Sequence, residues 1–100
     1  MEVVKDVERF PKTEVARIMA NQILRSVSSI TANIAEGYGR RKGKEFQHYL
    51  YISRGSANET IDWYEKIYRL GMIGRDRFES REQKCQEIRA ILSKMVDSLS

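Results

Sequence analysis

Proline occurs once in this chain, at Pro11. From Lys12 to Ser100 nothing forbids helix on proline grounds, so an all-α chain is expected. Cysteine also occurs once, as Cys85, which excludes an intrachain disulfide. With the single histidine His48, it leaves no credible metal cluster, and neither a cofactor nor a metal is expected. No apolar run approaches the ~18 residues that a membrane span needs. The opening "MEVVKDVERF" is charged and lacks an apolar core, so it does not read as a signal peptide. The chain reads as soluble and cytoplasmic, with no membrane partner.

What is present is helical pattern and charge. One hundred residues make one domain, spanning 1–100, with a modest core, so association with other copies is a route to stability. Hydrophobic residues make up 41% and charged residues 32%, with a net charge of +4 that leans toward acidic partners. Residues 1–10 form a short amphipathic stretch with Val3, Val4, Val7 and Phe10 on one face, stopped by Pro11. A second helix is predicted from Thr13, a candidate N-cap, with the stripe Val15, Met19, Ile23, Val27, Ile30 and Ile34, ending at Glu36–Gly37. A third is predicted from Lys44–Glu45 to Leu70, with Phe46, Leu50, Ser53, Ala57, Thr60, Tyr64 and Ile67 on one stripe. Gly71 then caps a turn, and a fourth helix follows with Phe78, Cys85, Ile88, Leu92, Met95 and Leu99. Short loops between long helices predict an antiparallel up-and-down four-helix bundle with a short first helix. That first helix covers about a third of its partners' length, so either the bundle tapers or neighbouring subunits cover what it leaves bare.

Two constellations stand out. The second helix carries a polar stripe of Gln22, Ser26, Ser29, Asn33 and Glu36, and "RGSANET" puts Gly55, Ser56 and Glu59 in the middle of the third. A mid-helix glycine costs about 1 kcal/mol relative to alanine, and close approach of another helix is the simplest reason for it. Asn33, Glu36 and Glu59 are either a reactive polar pocket or a structural set bonded across helices or to arginines such as Arg40 and Arg54. The structural reading is preferred, because a carboxylate pair without a histidine or metal is weak evidence for acid–base catalysis. No catalytic residue is assigned.

The second constellation is "GYGRRKGKEF", residues 37–46. It is not a phosphate-binding P-loop: Gly39 to Gly43 encloses three residues and Gly37 to Gly43 five, where four are needed, and Glu45 follows Lys44. What remains is Arg40, Arg41, Lys42 and Lys44 beside Tyr38, more basic than capping of a helix end requires. The segment is either a grip for nucleic acid phosphates or a solvated turn. Arg17 and Arg25, eight residues apart on the second helix, would extend a basic surface, whereas Arg75 and Arg77 belong to the opposite end. The aromatic residues from Tyr49 to Tyr68 fit a core or a subunit interface better than a base-stacking platform.

At "SSITANIAEGYGRRKGKEFQHYLYISRGSANE" the chain resembles the bacterial four-helix bundle proteins first noticed within intervening sequences of 23S ribosomal RNA genes. That family includes the accessory variability determinant of diversity-generating retroelements. The resemblance rests on "ANIAEGYGR" (Ala32–Arg40), Lys44-Glu45-Phe46, Leu50, Gly55-Ser56, Glu59 and "RLGMI" (Arg69–Ile73). It implies a barrel-like homopentamer with a basic surface. In retroelements it implies association with a reverse transcriptase and its RNA, or an RNA/DNA hybrid, without catalysis. Three departures accompany it. Thr31 stands where the family has proline, Leu24 where a second arginine is common, and the first helix is shorter than the family's.

Overall fold

The computed structural model describes residues 2–40 and 43–99. Four helices follow in order: α1 Glu2–Glu8, α2 Glu14–Arg40, α3 Gly43–Arg69 and α4 Arg75–Ser98. The 27 residues each of α2 and α3 predict about 40 Å of helix at ~1.5 Å per residue. The longest dimension of the molecule, 44 Å, agrees.

Local chemistry sets the boundaries. Thr13 Oγ1 accepts the Ala16 N–H at 3.1 Å, so Thr13 is the N-cap of α2, with Glu14 in the first turn. At the end of α3 the Met72 N–H reaches the Ile67 carbonyl at 3.0 Å and the Gly71 N–H that of Tyr68 at 2.9 Å. Gly71 has φ +76°, a left-handed residue that closes this Schellman cap. Tyr68 and Phe78 stack across the turn with centroids 4.5 Å apart.

One boundary departs from expectation. α2 does not stop at Glu36–Gly37 but runs on to Arg40. Gly37 is a contact glycine rather than a cap: a Cβ there would lie 2.9 Å from both Phe46 Cδ1 and Tyr49 Cβ. The glycine lets the start of α3 cross α2 closely, and the helix carries on past it.

The core has two ends. Val3, Phe10, Ala16, Ile23, Tyr64, Ile67 and Ile73 form a cluster under α1, and Leu50, Leu92 and Val96 form another beside the basic segment. Between them the α2–α3 seam is built from small hydroxyl residues. Thr60 and Ser26 hydroxyls bond at 2.9 Å, Ser56 donates to Ser29 at 2.8 Å, and Ser53 donates to the Ile30 carbonyl at 2.7 Å. The Thr60–Ser26 and Ser53–Ile30 bonds are made between buried groups, where an unmade one would cost about 1–3 kcal/mol, and the Ser56–Ser29 bond is part-buried.

α3 is the spine: it packs along both α2 and α4, which do not approach each other among the described residues. This explains where the apolar stripes miss. Ile91 on α4 is exposed, Ile88 borders an open groove shared with Val27 and Ile30 of α2, and Val96, not Ile88, joins the core. Val15 is likewise exposed while Ala16, one step round the helix, is buried. The bundle is therefore four helices with one of its four seats only partly filled.

Candidate nucleic-acid interface

The basic segment lies at one end of the bundle, between the last turn of α2 and the first of α3. Arg40, Lys44, Glu45, His48 and Tyr49 line a shallow cleft there of about 290 Å³. Arg40 is the anchored member. It donates to Glu36 Oε1 at 2.9 Å, and its guanidinium lies 5.7 Å from the centre of the Tyr49 ring. The bond to Glu36 holds its pKa above the ordinary arginine value. Lys44 is exposed and has no ion-pair partner among the described residues. Arg41 and Lys42, the middle of the expected grip, lie outside the described residues.

The other basic residues are not gathered there. Arg25 stands fifteen positions before Arg40, about 22 Å away along α2, and Arg17 about 34 Å away. Arg17 pairs with Glu14 at 3.2 Å, and Arg25 has no carboxylate partner among the described residues. At the far end Arg75 pairs with Glu79 and Arg77 with Asp6, so neither is spare charge.

Of the polar constellation, Glu36 meets the expected Arg40, Asn33 bonds within α2 rather than across helices, and Glu59 has no ion-pair partner among the described residues. Asn33 donates to the Ser29 carbonyl at 2.8 Å and to its hydroxyl at 2.9 Å, back along its own helix. Glu36 serves Arg40, while Glu59 is exposed and beside Thr60, which pairs with Ser26. Ten positions of α2 separate Ser26 from Glu36, or roughly 15 Å, so the two carboxylates are not brought together. Gly55 departs from expectation: nothing in the chain comes within 4 Å of a Cβ placed on it. The close approach expected there is made at Gly37 instead.

Sequence reasoning missed the strongest polar cluster in the molecule. Asp6, fully buried, accepts from Arg81 Nε at 2.7 Å and Nη2 at 3.1 Å, from Arg77 Nη1 at 2.9 Å and from the Tyr64 hydroxyl at 2.8 Å. Glu2 adds a second carboxylate to Arg81 at 3.2 Å. Burial alone would raise the Asp6 pKa, but the bonds from Arg81, Tyr64 and Arg77 outweigh it and hold it below the usual carboxylate value. Burial, then the Asp6 hydrogen bond, pushes Tyr64 well above the usual phenol range. The signal was present: Asp6 sits with Val3 and Phe10 at helical spacing, and Arg77 and Arg81 are four apart. The cluster clamps α1 to α4 and is fully occupied by the protein's own groups.

Fold and site together define a small all-α bundle with one basic end and, among the described residues, no assembled catalytic constellation. The family model for the 23S rRNA-intervening sequence protein matches residues 1–94, and the chain belongs to that family. It is also similar to a protein of unknown function from the S23 ribosomal protein family of Bacteroides thetaiotaomicron VPI-5482, known by crystal structure. The TM-score is 0.87 at 32% identity, over 95% of this chain and 88% of that one. No protein of curated function matches the chain.

Proposed function

We propose that this chain is a non-enzymatic, self-associating accessory protein that binds structured RNA or an RNA/DNA hybrid through phosphates, in company with a reverse transcriptase. The observation that carries this reading is the convergence of Arg40 and Lys44, with Arg41 and Lys42 between them in sequence, at one end of the bundle beside a cleft lined by His48 and Tyr49. Four cations in five positions exceed what the two helix ends require. In a homopentamer, the assembly implied by the family resemblance, the segment repeats and the summed field favours a polyanion. Arg17 and Arg25 would meet only a longer nucleic acid running along α2. The place of action in this reading is the cytoplasm, and the genetic context a diversity-generating retroelement.

Binding through phosphates predicts weak sequence preference and a steep salt dependence. About four phosphates per protomer give a log–log slope of roughly −3 to −4. Fluorescence anisotropy with a structured RNA, at low and physiological salt, compares the wild type with Arg40→Glu/Arg41→Glu/Lys42→Glu after light scattering has matched their masses. Tight, salt-sensitive binding abolished by the triple change supports the reading; weak binding untouched by it refutes it.

A second reading, a bundle that serves only protein assembly, draws on the ion pairs. Arg17, Arg40, Arg69, Arg75, Arg77 and Arg81 all face carboxylates of their own chain, which lowers the charge left for phosphates.

A further inference from the structure

Arg17, Arg40, Arg69 and Arg75 each meet a carboxylate three or four positions away on their own helix, and Arg77 and Arg81 meet Asp6. Arg54 on α3 and Arg89 on α4 have no ion-pair partner among the described residues. The sequence explains why. Three and four positions from Arg54 stand Leu50, Tyr51, Ala57 and Asn58; from Arg89, Cys85, Gln86, Leu92 and Ser93. Neither set holds a carboxylate, so both charges are left uncompensated on their own helices.

The two arginines reach across to each other's helix. Arg54 Nη1 donates to Ser93 Oγ at 3.2 Å, and Arg89 Nη1 donates to Asn58 Oδ1 at 3.1 Å. Arg54 and Asn58 are four positions apart on α3, as are Arg89 and Ser93 on α4. The two bonds are therefore rungs across the α3–α4 seam, one turn or roughly 6 Å apart. The Arg54 guanidinium also rests 4.9 Å from the centre of the exposed Tyr51 ring. Both bonding partners are neutral, so each guanidinium is held in place with its charge intact and the rest of its N–H fork unbonded among the described residues. Such a fork suits an anion with several oxygens, phosphate above all. The step between the rungs is comparable with that between successive phosphates of one nucleic acid strand. Asp62 and Asp97, one turn beyond Asn58 and Ser93, flank the rungs and limit the site to these two.

We infer that the α3–α4 seam is a second phosphate site, at which Arg54 and Arg89 take two successive phosphates of an RNA strand, with Ser93 and Asn58 orienting them and Tyr51 steadying Arg54. The inference rests on the nucleic acid reading proposed above and adds a face to it. Arg54 stands ten positions, about 15 Å, along α3 from Lys44, so one folded RNA can reach the basic end and the seam together.

Fluorescence anisotropy over a salt series, with the full chain and a structured RNA, tests this. Wild type is compared with Arg54→Gln/Arg89→Gln, Arg54→Lys/Arg89→Lys and Arg69→Gln/Arg75→Gln, after circular dichroism and light scattering have matched fold and mass. Arg69 and Arg75 are exposed but paired with Glu65 and Glu79, so their double change removes the same formal charge away from the seam. The seam glutamine double should flatten the log–log salt slope by about 1.4–1.8, at roughly 0.7–0.9 per phosphate. The lysine double, which keeps the charges and loses the forks, should retain most of the slope; a mere tie between α3 and α4 predicts no such split. A slope that the seam glutamine double leaves unchanged, or shifts no more than the Arg69/Arg75 double does, overturns the seam site. Binding that Arg40→Glu/Arg41→Glu/Lys42→Glu still abolishes would then leave the basic end standing alone. Polyglutamate that loses more affinity than RNA to the seam change assigns the pair to an acidic protein and also overturns the site. A wild type that binds no RNA removes both readings.

Discussion

Replacing Asp6 by asparagine keeps the shape of the side chain and removes its charge. The structure places four donors on this carboxylate: two from Arg81, one from Arg77 and the Tyr64 hydroxyl. Their energies do not add, because the groups act as one network. Breaking a buried ion pair by removing one partner costs about 3–5 kcal/mol, since the remaining charge is stranded. Here the Arg77 side chain is 33% exposed and that of Arg81 15%, so both can swing partly toward water. The lower end, about 3 kcal/mol, is therefore expected. For a domain of this size that lowers the Tm by about 12 °C or more, out of a total stability of about 5–15 kcal/mol. Urea denaturation followed by Trp63 fluorescence, with calorimetry beside it, gives both quantities. The acid limb adds an independent check. The folded-state pKa of Asp6 is depressed, so its contribution is present above the unfolded value near 3.9 and is lost as pH falls through the folded one. Stability of the wild type should decline on acidification below about pH 4 more steeply than that of Asp6→Asn. A Tm shift under about 2 °C, with parallel acid limbs, would refute the claim that this cluster holds α1 in place.

Three further outcomes follow from the packing. Gly37→Ala puts a methyl 2.9 Å from Phe46 and Tyr49 and should cost about 1–3 kcal/mol, whereas Gly39→Ala meets nothing and should be neutral or stabilising; paired urea melts separate them. Gly55→Ala, in protein dilute enough to be monomeric, should gain up to about 1 kcal/mol, because the new Cβ is unopposed and helix propensity improves. Thr60→Val removes the hydroxyl bond across the seam to Ser26, which keeps its own bond to the Ile23 carbonyl, and should cost about 0.5–1.5 kcal/mol by the same melts.

Much of this architecture could be read from spacing. The α3 stripe from Leu50 through Ser53, Ala57, Thr60 and Tyr64 to Ile67 is buried throughout, because α3 is flanked on two sides and its pattern is strongly constrained. The α4 stripe was legible only in part. A helix with a single long neighbour needs one narrow apolar line, and periodicity alone could not tell whether Ile88 or Val96 belonged to it. Gly37 misled because glycine favours both helix ends and close crossings, and only the position of Phe46 and Tyr49 decides between them. Asp6 was hidden for a different reason. A carboxylate on an apolar face reads as an interruption until the two arginines that answer it, more than seventy positions later, are placed beside it.

That separation bears on how the chain folds. The α2–α3 and α3–α4 hairpins share a spine and join near neighbours in sequence, so each can zip up locally and early. The Asp6 clamp instead closes loops of 71 and 75 residues, and their closure entropy is repaid only once both hairpins stand. Such a contact belongs late on the path, after the rate-limiting step. Its loss should accelerate unfolding and leave the refolding rate nearly untouched, so the clamp acts as a latch on the finished bundle rather than a guide to building it.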